Sequence, residues 1–402
     1  MEKATEEGEP HAMEEVGKDK VDLATNPATK PPKYTNSQIF SLMRRNSYGV
    51  PKVKTGKELL KNMFEKNKAP GSGLSDIADS DNCSGEGEES GEETFQGSAR
   101  PSDKCFEQLF WPDYFDKKST VVVQSKKSEG GSEEEMSFNL YTAGTKGPLI
   151  FCIHGGGYTG LTWALIAKSL KDKYQIAALD MRGHGESSAS DDFSAETLAS
   201  DVIRVWEHKY GESSPQTVLL GHSLGGSVAI KAANLGKERG LTSLTGLIVI
   251  DVVEGTALAS LPYMQSVIAK RPASFKSVEA IVEWSFSTGM TKNFEAARVS
   301  TPSQFRFDEA TESYVWITDL KKTEPFWEGW YTGLSEEYLS APAAKLLLLA
   351  GTDRLDKTLT IGQMQGKFQM KVLPTGHAVH EDDPAKTIEA VDEFITRFRI
   401  GQ

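Results

Sequence analysis

Residues 218–230 read VLLGHSLGGSVAI. Val218–Leu220 is an apolar run suited to a buried strand, and Gly225–Ile230 is built of small, helix-compatible residues. Between them, Gly221-His222-Ser223-Leu224-Gly225 fits G-x-S-x-G, in which a tight strand-to-helix turn presents a serine hydroxyl at the end of a sheet. The flanking positions need glycine because a Cβ there would meet the neighbouring chain. A helix starting at Gly225 also points the positive end of its dipole at the serine, favouring negative charge that develops nearby. The competing reading is an ordinary glycine-rich turn with an N-capping serine, and the rest of the chain must decide.

Two further stretches favour the nucleophile. In IFCIHGGGYTG, residues 150–160, a strand ends at His154 and three glycines follow. Such a turn can aim backbone N–H groups at a carbonyl oxygen, and Gly156, Gly157 and Leu224 are the candidate oxyanion donors. A phosphate loop is the weaker reading, because no Lys-Ser/Thr pair and no G-x-G-x-x-G spacing is present. In KVLPTGHAVHEDDP, residues 371–384, His377 lies just past an apolar strand and before a helix. A base there can take the serine proton and return it to a leaving group. His380, beside Glu381 and Asp382, reads as a solvated or helix-capping residue, and His154 and His222 as parts of their turns.

The acid stays open on the residues alone. Asp353 and Asp356, in LAGTDRLD, follow one strand, while Asp251 ends another in LIVIDVVEG. All of them keep the order serine, acid, histidine. A carboxylate delivered by a buried apolar run is costly without a strong partner, and a histidine N–H would serve.

Around these motifs, short β-rich runs alternate with helical patterns, which predicts a mainly parallel sheet covered on both faces. Strands are expected at Ser119–Gln124, Ser137–Thr142, Leu149–His154, Gln175–Asp180, Thr217–Gly221, Leu247–Asp251, Lys345–Ala350 and Phe368–Leu373. Helices are expected notably at Ala195–Lys209, Gly225–Leu235 and Pro384–Arg397. ALDMRGHGESS, residues 178–188, resembles the turn after the fourth strand of many α/β-hydrolases, with Asp180, Arg182 and His184 organising the loop. The predicted fold is therefore an α/β-hydrolase with eight strands. No strand is expected between Asp251 and Lys345. Helical stretches and aromatics there, from about 255 to 340, predict a cap inserted after the sixth strand, over the strand ends where open α/β sheets bind ligands.

Composition narrows the class. The 402 residues carry a net charge of -12, which argues against non-specific nucleic-acid binding. Cys83, Cys105 and Cys152 are scattered, with no disulfide or zinc spacing. The N-terminus lacks a secretory h-region and no run is long enough to cross a bilayer, so a cytoplasmic or nuclear protein without membrane contact is expected. Residues 1–104 read as a disordered acidic arm, with the hydrolase domain over 105–402. Within the arm, residues 36–50 fit either a short docking helix or plain tail, and Ser47, after two arginines, fits a phosphate acceptor, a match that chance also produces.

From Phe110 to Ile400 the chain resembles the protein phosphatase methylesterases. The long stretches IDVVEGTALASLPYMQSVIAKRPASFKSVEAIVEWSFSTGMTKNFEAARVS and KLLLLAGTDRLDKTLTIGQMQGKFQMKVLPTGHAVHED carry the likeness, with SAETLASDV and PFWEGWYTGLS. The resemblance implies a serine esterase that removes the methyl ester from the C-terminal leucine of the type 2A protein phosphatase catalytic subunit. It implies Ser223 as nucleophile, Asp251 as acid and His377 as base, with Asp353 the alternative acid, and neither metal nor organic cofactor. Two departures limit it: ARVSTPSQFRFDEATESYVW is short where some relatives carry a long acidic insertion, and the acidic arm has no recognisable counterpart. Two rival functions use the same features, a general carboxylesterase or lipase on small esters, and a phosphatase-binding inhibitory protein with secondary esterase activity.

Overall fold

The computed structural model describes residues 106–126, 131–211, 214–351 and 355–402. The expected arm over 1–104 and the alternative acid Asp353 lie outside the described residues. In chain order come β1 (Lys117–Lys126), β2 (Glu133–Ala143), β3 (Leu149–Ile153), α1 (Ala164–Leu170), β4 (Gln175–Leu179), α2 (Ala195–Tyr210), β5 (Thr217–His222), α3 (Leu224–Glu238) and β6 (Leu244–Ile250). An insertion follows: α4 (Glu254–Ala269), β7 (Ser274–Phe275), α5 (Val278–Ser287), α6 (Phe294–Ser300), β8 (Phe305–Asp308), β9 (Ser313–Trp316), α7 (Trp327–Tyr331) and α8 (Leu334–Ser340). The chain then returns through β10 (Ala344–Leu349), α9 (Lys357–Met364), β11 (Gln369–Val372), α10 (Val379–Asp382) and α11 (Pro384–Arg397).

The main sheet has eight strands in the order β1-β2-β4-β3-β5-β6-β10-β11. β1 pairs antiparallel with β2, and β2 with β4; every other pairing in this sheet is parallel. The parallel strands inside the sheet, β3 to β6 and β10, are mostly apolar runs because both of their faces are covered, whereas β11 at the edge is half-buried. Leu149, Phe151, Ile153, Leu219, Leu247, Val249, Leu347 and Leu349 point to one face, against Leu198, Val202 and Trp206 of α2 and Val228 of α3. Their neighbours Ile150, Cys152, Val218, Leu220, Ile248, Ile250, Leu346 and Leu348 point to the other, against Ile166 of α1 and Phe394 of α11. Each such aliphatic side chain contributes about 1.5–3 kcal/mol by leaving water. The direction of travel reverses at β3, which has β4 on one side and β5 on the other, so the carboxyl ends of β3 and β5 flank a switch point.

The insertion departs from expectation by containing strands. β7, β9 and β8 form a separate antiparallel sheet. Its strands have two and four residues, too few for an alternating pattern to register in sequence. Polar bonds tie the insertion to the long loop after β4 and to the start of α3. Trp330 Nε1 donates to the Phe193 carbonyl at 2.7 Å, Thr318 Oγ1 donates to the Gly183 carbonyl at 2.7 Å, and Ser227 Oγ donates to the Trp330 carbonyl.

Candidate active site

Ser223 sits between the end of β5 and the start of α3 with φ 53° and ψ −121°. A non-glycine residue there carries strain of order 1–3 kcal/mol, held in place by its surroundings. Here the Ser223 N–H donates to the Ile250 carbonyl at 2.9 Å, and its carbonyl accepts from the Gly226 N–H at 2.8 Å. The turn closes tightly enough that a Cβ on Gly221 would lie 2.1 Å from the Gly225 oxygen, and one on Gly225 would lie 2.2 Å from the Ile153 oxygen. The serine has no side-chain capping bond to α3, contrary to the N-cap reading.

His377 brings the hydroxyl and a carboxylate together. Its Nε2 lies 3.0 Å from Ser223 Oγ, and its Nδ1 lies 2.7 Å from Asp251 Oδ2. The carboxylate fixes the proton on Nδ1 and leaves Nε2 as the acceptor facing the serine. Asp251 is delivered by β6 at φ 54°, and its other oxygen accepts from the Ala350 N–H at 2.9 Å. Asp251 is 3 % exposed, so both bonds answer the cost of taking its charge from water. Asp356 is placed elsewhere: it caps α9 through the Leu359 N–H at 2.9 Å and accepts from Ser335 Oγ.

Buried, neutral histidines surround this line. His222 Nε2 donates to the His377 carbonyl, and burial, with His377 alongside, pushes the His222 imidazole down to about 3. His380 is fully buried, correcting its expected solvated position: it stacks on Trp163 at 4.3 Å and its Nε2 lies 2.7 Å from Thr162 Oγ1. Glu381 is buried too, accepting from Thr162 Oγ1 at 2.6 Å, and burial pushes its carboxyl up to about 7. A run of His, Glu and Asp reads locally as a wet turn, and only the packing of α10 on the segment before α1 shows otherwise.

The glycine loop after β3 is shaped by two more histidines. His154 donates from Nδ1 to the Gly155 carbonyl at 2.8 Å and accepts the Met181 N–H at 2.9 Å. His184 donates from Nδ1 to the Arg182 carbonyl at 2.9 Å and accepts the Gly157 N–H at 3.0 Å, while burial pushes its imidazole down to about 4. Gly157 must therefore be dropped from the expected oxyanion donors: at φ 81° its N–H turns toward the loop after β4. The Gly156 and Leu224 N–H groups are left as candidates, with Gly156 beside the Leu224 side chain. Arg182 organises the β4 loop as expected, through a buried ion pair with Asp201 at 2.5 Å. Tyr331 was not foreseen. It is 7 % exposed, its hydroxyl faces Ser223, and burial raises its phenol while the serine contact opposes that rise.

A serine held at a strained elbow and bonded to a histidine–carboxylate pair places the chain among the α/β-hydrolases, and residues 150–390 match the model of the alpha/beta hydrolase family. Solved structures agree on the fold. E-2-(acetamidomethylene)succinate hydrolase superposes with a TM-score of 0.56 at 19% identity, covering 69% of this chain and 100% of that one. An esterase from a marine microorganism gives 0.51 at 21% identity, covering 63% and 98%. Sequence relatives are more specific. Protein phosphatase methylesterase 1 of Mus musculus is 42% identical over 364 residues, spanning 79% of this chain and 91% of that protein. The Schizosaccharomyces pombe protein of the same name is 40% identical over 285 residues, spanning 69% and 81%. The chain belongs to the protein phosphatase methylesterase family and is a carboxylic ester hydrolase. Among the described residues, no helix is long and apolar enough to cross a membrane.

Proposed function

We propose that the chain demethylates the C-terminal leucine methyl ester of the type 2A protein phosphatase catalytic subunit, with Ser223 as nucleophile, His377 as base and acid, and Asp251 as the group that orients it. The observation that carries this reading is the continuous line of bonds from Ser223 Oγ through His377 to Asp251, at 3.0 and 2.7 Å, in a chain 42% identical to a methylesterase. Ser223 Oγ attacks the ester carbon as His377 Nε2 takes its proton. The oxyanion is met by the N–H groups of Leu224 and Gly156. The proton on Nε2 then passes to the departing methoxide, giving methanol and an acyl-serine. Water activated by Nε2 hydrolyses that acyl-enzyme to the free carboxylate and restores Ser223. A methyl group offers little to read, since one methylene is worth about 1–3 kcal/mol, so the phosphatase surface supplies orientation. The same reading places the protein in the cytoplasm, the nucleus or both, consistent with its scattered cysteines.

The test is methanol release from the methylated phosphatase subunit, beside hydrolysis of short acyl esters. Turnover of the phosphatase by the native chain, lost in Ser223→Ala, supports the proposal. Turnover of small esters alone would transfer the chain to general esterases, and unchanged phosphatase demethylation by Ser223→Ala would remove the serine from the mechanism.

A further inference from the structure

Arg271 stands over the glycine loop with no counter-charge among the described residues. It follows α4, and its N–H donates to the Ile268 carbonyl at 3.1 Å. Trp316 Nε1 donates to the carbonyl of the next residue, Pro272, at 2.8 Å, and the Trp316 ring lies 4.9 Å from the centre of the guanidinium. Backbone and head group are thus both held. The guanidinium faces Gly157: a Cβ built there would lie 3.5 Å from Arg271 Nη1. Its side chain makes no hydrogen bond or ion pair with any described residue. The titratable group acting on it is the neutral phenol of Tyr158, the residue after Gly157, while burial weakens its hold on the proton.

A guanidinium drawn partly out of water is unfavourable unless something supplies an anionic or hydrogen-bonding partner, and a tryptophan face compensates only in part. A chain with net charge -12 does not lack carboxylates to put there. The ester's leaving group is methoxide, which offers Arg271 nothing beyond one methyl, so any group that could meet Arg271 belongs to the acyl side, the peptide ending in the ester. The ester carbonyl has its own donors at Gly156 and Leu224. We propose that Arg271 binds a carboxylate side chain of the peptide that carries the methyl ester, making the site selective for acidic C-terminal segments. This rests on the demethylation of a protein C-terminus proposed above. A fork of N–H donors suits a carboxylate, which can accept two parallel bonds.

The experiment measures binding of two peptide methyl esters to the full chain carrying Ser223→Ala, which prevents turnover. One peptide has an aspartate among the residues preceding the esterified leucine, and the other has asparagine in its place. The Arg271-bearing protein should bind the acidic ester about tenfold or more tightly than its amide counterpart, a preference that shrinks as salt is raised. Adding Arg271→Gln should abolish the preference, and Arg271→Lys should restore part of it. Arg271→Met, which keeps an apolar stem on Trp316, replaces the glutamine variant if thermal unfolding shows that variant to be misfolded. Equal binding of both esters by the Arg271-bearing protein, or a preference that survives in the glutamine or methionine variant, overturns the assignment. Loss of the demethylation proposal would appear separately, as absent turnover of the phosphatase by the chain with Ser223 intact.

Discussion

His222 Nε2 lies 2.9 Å from the carbonyl oxygen of His377, so the residue before the elbow serine holds the backbone of the proposed base. Ser223 and His377 are 154 residues apart in the chain, and this bond anchors the His377 backbone to the His222 side chain independently of the side-chain bond between Ser223 and His377. Burial, with His377 alongside, pushes the His222 imidazole down to about 3, so it holds the His377 carbonyl without placing a positive charge beside that ring. His222→Ala should lower kcat by about tenfold to a hundredfold, the size expected from a small misplacement of a reacting group, with little change in KM. Steady-state kinetics check this, and a KM rise without a kcat loss would assign His222 to binding.

The acid is tested by a change of one atom. Asp251→Asn preserves volume but lets the side-chain amide donate to His377 Nδ1, selecting the wrong tautomer. A loss in kcat on the order of 10⁴ is expected, whereas Asp353→Asn should leave kcat within a few fold. The reverse ranking would move the acid to the later strand.

Glu381 predicts a pH dependence of stability. Its carboxyl is raised from 4.5 to about 7, chiefly by burial, so the folded chain holds this proton more tightly than the unfolded chain. That stabilisation is fully present below about pH 4.5 and is lost as pH rises through about 7. Glu381→Gln keeps a neutral group of similar size. Relative to the native chain it should gain stability between about pH 5 and pH 8, by about 3 kcal/mol at most. Urea unfolding at both pH values measures it, and a difference that does not move with pH would refute the shift.

The elbow glycines give a packing prediction with an internal control. Gly225→Ala drives a methyl to within 2.2 Å of the Ile153 carbonyl oxygen, an atom fixed at the end of a central strand. A loss of about 3 kcal/mol or more, or failure to fold, is expected. Gly329, in α7, has nothing within 4 Å of its built Cβ, so Gly329→Ala should be neutral or stabilising by up to about 1 kcal/mol. Thermal unfolding of the pair separates steric conflict from a general intolerance of substitution.

By itself the sequence determined the eight strands of the main sheet and the positions of Ser223 and His377. Buried parallel strands must be apolar on both faces, and the elbow and the turn after the last strand are local patterns. The proposed acid was legible only through likeness to a family, because in the sequence Asp251 ends one apolar run and Asp353 follows another. Tertiary structure alone decided that the Gly157 N–H is spent on His184, that His380 and Glu381 are buried, that Tyr331 reaches Ser223, and that Arg271 has no counter-charge among the described residues. Each depends on which distant segments pack together. Hydrogen bonds and desolvation between residues far apart in the chain leave no periodicity for a sequence to show.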